Sequence, residues 1–289
     1  MFATPPIRRA RCLCLDIETA RGNALILREL GAYRPDLDSR LRLSAKTRNL
    51  TGELDALTAG ASFVLGHNIL AFDQPALAAL HPTLALHRLP LIDTLELSPV
   101  AFPQNPYHRL VKDYKLCTTS HNDPVRDAEL AYALFLDQCE ALGQRAGEHP
   151  DEVLCLHFLL SSENGKGVAN LFASLRRSLR PTLAETRAAW QRATVGKTCI
   201  QGQRHVIEHC LPDPGWHKPL AYVLSWLRVA GGNSVLPPWV HLNFPRTREA
   251  IAILRDTPCA DPACSWCLTQ HDIDALLPRY FPGITQFRS

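Results

Sequence analysis

The chain of 289 residues is 46% hydrophobic and 20% charged, with a formal net charge of +3. So much apolar content for so little charge excludes an intrinsically disordered chain, and the length suffices for one large or two ordinary cores. No run approaches the ~18 consecutive apolar residues of a membrane span. The start, MFATPPIRRARC, lacks the apolar stretch of a secretory signal. A soluble, cytoplasmic protein with no membrane partner is expected. Most of the ten cysteines scatter through apolar or mixed surroundings, as thiols do in a reducing compartment, and three cluster at 259, 264 and 267.

In chain order, RCLCLDIETA predicts a strand with Cys12, Cys14, Asp16 and Glu18 on one face and Leu13, Leu15 and Ile17 on the other. Weaker strand signals fall at 24–31 and 41–43. A short helix is predicted over 51–59, capped by Thr51 with Glu53 in its first turn, and a short buried strand over 62–65 ends at Gly66. A helix follows Asp73, with Pro75 tolerated early in it. Residues 89–95 form another candidate strand, and 98–120 read mostly as loop. Asp123, followed by Pro124, then caps an amphipathic helix striped by Ala128, Leu130, Ala131, Leu134 and Phe135. GQRAGEHPDE, 143–152, reads as a linker. Beyond it helices are predicted over 152–160, 169–179, 183–192 and 220–229. The Pro-rich stretch SVLPPWVHLNFP interrupts them before another helix over 246–255.

Four carboxylates of the first half stand out. Asp16 and Glu18, two apart on a strand, leave the same face and can hold one cation between them. They end an apolar strand at the carboxyl edge of an α/β domain, where sites collect. Asp73 closes G-H-N-I-L-A-F-D, and Asp127 sits one turn into the helix capped by Asp123. Each has an ordinary explanation taken alone: a solvated strand edge, a helix cap, a carboxylate near a helix dipole.

Together, D-x-E, then N-x-x-x-F-D, then an Asp early in an amphipathic helix resemble the DEDD superfamily of exonucleases, the DnaQ-like, ribonuclease-H-fold group. The resemblance covers about residues 10–140. It implies that Asp16, Glu18, Asp73 and Asp127 bind two Mg²⁺ or Mn²⁺ ions, an oxygen-only ligand set that suits those cations. The family's general base is a His five residues before the last Asp or a Tyr four before it. Here those positions hold Asn122 and Asp123, and His121, one residue earlier, is the candidate base. The middle motif, with three residues between Asn68 and Phe72, looks closer to the proofreading domains of family B polymerases.

Cys259-x₄-Cys264-x₂-Cys267-x₃-His271 has the ligand types and tight spacing of a closed structural Zn²⁺ site. The final residues, ALLPRYFPGITQFRS, carry a second resemblance, to the opening of RecQ helicases. It implies the N-terminal part of a longer exonuclease–RecQ-type protein, or a relative acting with such a helicase in trans. Val195-Gly196-Lys197-Thr198 looks like the end of a phosphate loop, but Gln191 stands where its first Gly is needed. Residues 176–204 hold seven basic side chains against Glu185 alone. Such a run is usually a solvated helix face, but beside a nuclease it can track a phosphate backbone. Arg176, Arg177 and Arg180, with Asn68 of the middle motif, are the candidate nucleic-acid contacts.

The expectation is therefore an α/β protein in three parts. A ribonuclease-H-like exonuclease domain, a mixed sheet flanked by helices, spans 1–145. A mostly helical accessory region spans 146–250, and a zinc knuckle with the start of a RecQ-like segment spans 251–289. The expected activity is metal-dependent 3′–5′ hydrolysis of nucleic acid, with DNA favoured through the RecQ-like tail. The alternatives are a catalytically silent nucleic-acid-binding module and an RNA-trimming exonuclease.

Overall fold

The computed structural model describes residues 10–21, 25–105, 123–161, 166–230, 236–259 and 261–271, with position 283. The chain is α/β. Strand β1 (Cys12–Arg21) pairs antiparallel with β2 (Leu25–Arg34), which pairs antiparallel with β3 (Ser39–Ser44). On its other side β1 runs parallel to β4 (Phe63–Gly66), and β4 parallel to β5 (Leu91–Asp93). The result is a mixed five-stranded sheet in the order β3-β2-β1-β4-β5.

The central place of β1 explains its composition. Leu13, Leu15 and Ile17 enter a core with Leu54 of helix α1 (Leu50–Thr58) and Leu77 of α2 (Asp73–Leu80). Cys12 and Cys14 are fully buried on the opposite face, where their thiols lie 3.6 Å apart. A strand covered on both faces needs an apolar or neutral run, as Cys12 to Leu15 provide. A long helix, labelled α4 (Pro124–Glu148), covers that second face. Phe135 meets Phe63 of β4 edge-on at 5.8 Å, and Tyr132 meets Tyr33 of β2 at 6.0 Å.

Several boundaries differ from expectation for local reasons. The cap of α1 is Asn49, whose side chain accepts from the Gly52 N–H, so the helix opens before Thr51. The strand expected to reach residue 95 stops at Asp93, whose carboxylate accepts from the Leu95 N–H and starts α3 (Thr94–Ala101). Residues 143–152 are not a linker. Helix α4 runs on through Gly147, and only His149 separates it from α5 (Pro150–Leu160). The polar composition there is deceptive because Arg145 and Glu152 are both buried and paired at 3.3 Å.

Another buried guanidinium closes α1. Arg34, 2% exposed, donates to the Leu57 and Ala59 carbonyls at the helix C-terminus while pairing with Asp36. Those carbonyls have no partner within the helix, so a cation there serves both their hydrogen bonding and the helix dipole. Arg34→Met is expected to lower the unfolding free energy by about 3 kcal/mol, as buried acceptors lose a charged donor. Urea denaturation reads this. A loss within about 0.5 kcal/mol, the range of neutral surface changes, would mean that the cap contributes nothing.

The remaining described residues are mostly helical. By contacts the chain divides into two compact units. The first holds the described residues up to Phe102, 123–143 and 161–171. The second holds 103–105, 144–160 and those from Phe172 onward. Helix α6 (Lys166–Arg176) bridges the division in sequence, and its Gly167 lies in the first unit against β5. The second unit continues with α7 (Leu183–Thr194), which opens with a reciprocal Thr182–Glu185 capping box. Next come α8 (Ile200–His205), α9 (His217–Leu227), α10 (Pro238–Asn243), α11 (Arg246–Ile251) and α12 (Ser265–His271). Helices α8 and α11 each pass into a π-helical turn, Val206–Cys210 and Ala252–Asp256. Among the described residues no helix is long and apolar enough to cross a membrane.

Candidate metal centres

The first unit gathers carboxylates around the middle of β1, which continues past them to Arg21 rather than ending there. Asp16 and Glu18 stand there on one face, and a β-bulge follows Glu18. Asp127 reaches them from the first turn of α4. Each of the three can offer a carboxylate oxygen such that all lie within 4.8 Å of one another. The placement of Asp127 depends on how closely α4 approaches the sheet. Gly31 of β2 is the register partner of Asp16, and a Cβ on it would sit 2.1 Å from the Pro124 carbonyl carbon. Only a residue without a side chain lets the helix start there. Asp123 caps that start, accepting from the Val125 and Arg126 N–H groups and pairing with Arg42 of β3.

Asp73 is beside this group but is not one of the three. Its Oδ1 accepts from the Ile17 N–H at 2.9 Å, between Asp16 and Glu18 in sequence. The side chain is 2% exposed. Burial pushes its carboxyl up to about 7, with the charges of Asp93 and Glu18 adding to the rise and the Ile17 N–H opposing it. Asp93, which is not among the residues expected at the site, is equally buried. It accepts from the Asn68, Leu70 and Leu95 N–H groups, and burial raises its carboxyl too. It therefore clamps the turn after β4 onto the start of α3. Its only sequence signal is a lone acid closing the apolar strand LPLID.

Asn68 is exposed on that turn in the left-handed conformation, φ +66°, which Asn tolerates better than most residues. His67 bonds Thr94 Oγ1 at 2.9 Å through Nδ1. His121 lies outside the described residues, as does the RecQ-like stretch apart from position 283.

The basic candidates lie in the second unit. Arg176 bonds His157 Nδ1 at 2.8 Å and the Leu179 carbonyl. Arg180 stacks over Phe158 at 4.9 Å and reaches the Phe158 carbonyl. Arg177 is exposed, with φ +51° just past the end of α6. Two of the three arginines thus have internal partners.

The cysteine cluster differs from the expected ligand set. Cys259, Cys264 and Cys267 do come together, but the fourth member is Cys199, not His271. Cys264 Sγ lies 3.9 Å from Cys199 Sγ, and Cys267 Sγ 3.6 Å from Cys259 Sγ. All four sulfurs lie within 4.8 Å of one another. His271 turns aside because its Nε2 is bonded to the Arg255 carbonyl at 2.8 Å. Trp266 bonds the same carbonyl, and the Arg255 guanidinium lies 4.7 Å over the indole. Burial opposes ionisation of Cys264, but N–H groups of Cys267 and Ile200 and the neighbouring thiols outweigh it, bringing the thiol down to about 7. Burial pushes Cys267 up to about 12. A four-thiol cluster of this kind can hold zinc, and the acidic triad can hold a hard divalent cation.

No family model, curated protein or solved structure matches the chain. The chemistry of its two side-chain clusters is therefore the ground for a functional reading.

Proposed function

We propose that the protein is a DEDD-type 3′–5′ exonuclease that hydrolyses DNA phosphodiesters in a ribonuclease-H-like first unit. The observation that carries this reading is the convergence of Asp16, Glu18 and Asp127 from distant parts of the sequence. Concentrated carboxylates repel one another and repel a nucleic-acid backbone, so a phosphate-binding surface alone gains nothing from them. They become useful when divalent cations bridge them to phosphate. A mixed sheet with helices on both faces supports the expected architecture.

The donor set fits hard cations, being made of carboxylate oxygens alone. Asp16, Glu18 and Asp127 would hold such ions directly, with Asp73 turning toward them from the Ile17 N–H. Two divalent cations there would supply an activated water and stabilisation of the leaving oxygen. The protein's own part is positioning. The bulge after Glu18 and the close approach of α4 over Gly31 bring the carboxylates together, and the exposed Asn68 stands on the turn clamped by Asp93. His121 is the candidate proton acceptor. The RecQ-like tail makes DNA the favoured substrate and a helicase, in cis or in trans, the favoured partner. The cysteine cluster is read as a structural site of the second unit, since four thiolates leave no open coordination position.

A time course on 5′-labelled single-stranded and recessed-3′ DNA, with matched RNA, in Mn²⁺, Mg²⁺ or EDTA, tests the proposal. A metal-dependent ladder receding from the 3′ end is expected. It should be lost by at least ~10³-fold in Asp127→Asn, because that carboxylate would help hold the cations that supply the activated water and the charge stabilisation. Asp123→Ala should cost only about 1 kcal/mol of stability, the loss of a cap, and keep its ladder. DNA binding without cleavage in either metal would make the silent module the better account, and cleavage confined to RNA would reassign the substrate.

A further inference from the structure

The geometry points to a Cys₄ zinc site made by Cys199, Cys259, Cys264 and Cys267, in which Cys199 ties the start of α8 to the segment that ends in α12. This inference rests on the cysteine geometry alone and stands whether or not the first unit is a nuclease.

Three features separate the cluster from buried thiols that merely neighbour one another. The first is spacing. Zinc–sulfur bonds of about 2.3 Å in a tetrahedron set sulfur–sulfur edges of roughly 3.8 Å. The sulfur pairs here are 3.6 and 3.9 Å apart. Those edges are far beyond the roughly 2.05 Å of a disulfide, and all four cysteines are free.

The second feature is that the backbone holds Cys199 in place independently of its thiol. Its N–H donates to the Leu254 carbonyl at 2.7 Å, inside the π-helical turn that precedes Cys259. Gly202 lets the same turn approach α8, since a Cβ there would sit 2.1 Å from the Ile253 carbonyl oxygen. The scaffold thus delivers a thiol from 65 residues before Cys264.

The third feature is ligand chemistry. Cys264 stands at the start of α12 and Cys267 lies within its first turn, where the Cys259 N–H donates to Cys267 Sγ at 3.3 Å. Backbone N–H donation to sulfur is the usual outer-shell support of a thiolate ligand. Four thiolates favour zinc over harder cations, and with all four places filled by protein the site is structural.

Metal analysis of the full chain purified without chelator, followed by Co²⁺ replacement, tests this. One zinc per chain is expected, and the Co²⁺ form should show a tetrahedral visible spectrum with a strong thiolate charge-transfer band. Cys199→Ser should lose one thiolate's share of that band and release metal to a chelator at least ~10-fold faster, whereas His271→Gln should change neither. Should Cys199→Ser fail to fold, X-ray absorption at the zinc edge of the unaltered protein decides the ligand set. Four sulfurs at about 2.3 Å support the site, while three sulfurs and one nitrogen restore His271 and overturn it. Absence of both zinc and any Co²⁺–thiolate band would also overturn it.

Discussion

Gly31→Ala is expected to disable the acidic centre while leaving Asp16, Glu18 and Asp127 in the sequence. The new Cβ would sit 2.1 Å from the Pro124 carbonyl carbon and 2.2 Å from the Val125 nitrogen, where ordinary contact begins at 3.4 Å. Backbone atoms cannot swing aside as a side-chain tip can, so the first turn of α4 must retreat by about 1 Å or more. Asp127 belongs to that turn. An overpacked helix start costs about 1–3 kcal/mol. A misplacement of this size at a reacting centre costs roughly 10²-fold in rate. Calorimetric Mn²⁺ titration should show affinity weakened by at least ~10-fold, the usual size of a disturbed ligand shell. Unchanged Mn²⁺ affinity with an unchanged melting temperature would show that the close approach of α4 does not set the site.

The second large effect concerns pH. The Asp73 carboxyl is ordinarily at 3.8 and rises to about 7 in the folded chain. A carboxyl raised by folding binds its proton more tightly folded than unfolded. The folded state therefore holds the excess proton between about pH 4 and 7, and stability falls as pH rises through that window. In EDTA the loss assignable to Asp73 across that window is up to about 4 kcal/mol, at about 1.36 kcal/mol per pH unit. Asp93 and Glu152 are raised in the same direction and add to the slope. Comparison with Asp73→Asn isolates Asp73, because the amide oxygen can still accept from the Ile17 N–H without a charge to desolvate. Urea denaturation in EDTA should show Asp73→Asn more stable than the unaltered protein at about pH 8 and nearly equal to it at about pH 4. Mn²⁺ should reverse the order at the higher pH by binding the native state of the charged form. Parallel pH profiles for the two proteins in EDTA would refute the assignment.

What can be read from the sequence follows from how local each determinant is. Strand β1 is legible because its pattern is short-range: an apolar run ending in D-x-E. Strands β2 and β3 are weaker signals, since Arg28, Glu29, Arg40 and Arg42 interrupt their apolar runs. The Asp123–Pro124 start of α4 is legible for the same local reason as β1. Its far end is not, because Gly143 and Gly147 read as breakers while a buried Arg145–Glu152 pair holds that stretch among helices. The two clusters differ in the same way. Cys259, Cys264 and Cys267 announce themselves by spacing, and His271 continues that spacing. Cys199, in the unremarkable stretch GKTCI, enters only through a distant backbone bond to Leu254. Asp93 escapes notice because a single acid after an apolar strand resembles any turn residue. Its three backbone partners come from two elements.

The two outer strands of the sheet end its growth by different means. Strand β3 has no further strand paired to it among the described residues, and it carries Arg40 and Arg42, which reach Glu129 and Asp123 near the start of α4. An incoming strand would have to desolvate those charges and break their pairs. On the other side β5 is only three residues long, and the start of α6 lies over it so closely that a Cβ on Gly167 would be 2.3 Å from the Leu91 carbonyl oxygen. A docking chain would find there a short template already covered. The close approach at Gly167 thus also guards this edge against edge-to-edge pairing, and a bulky residue at 167 would uncover the template as well as loosen the helix.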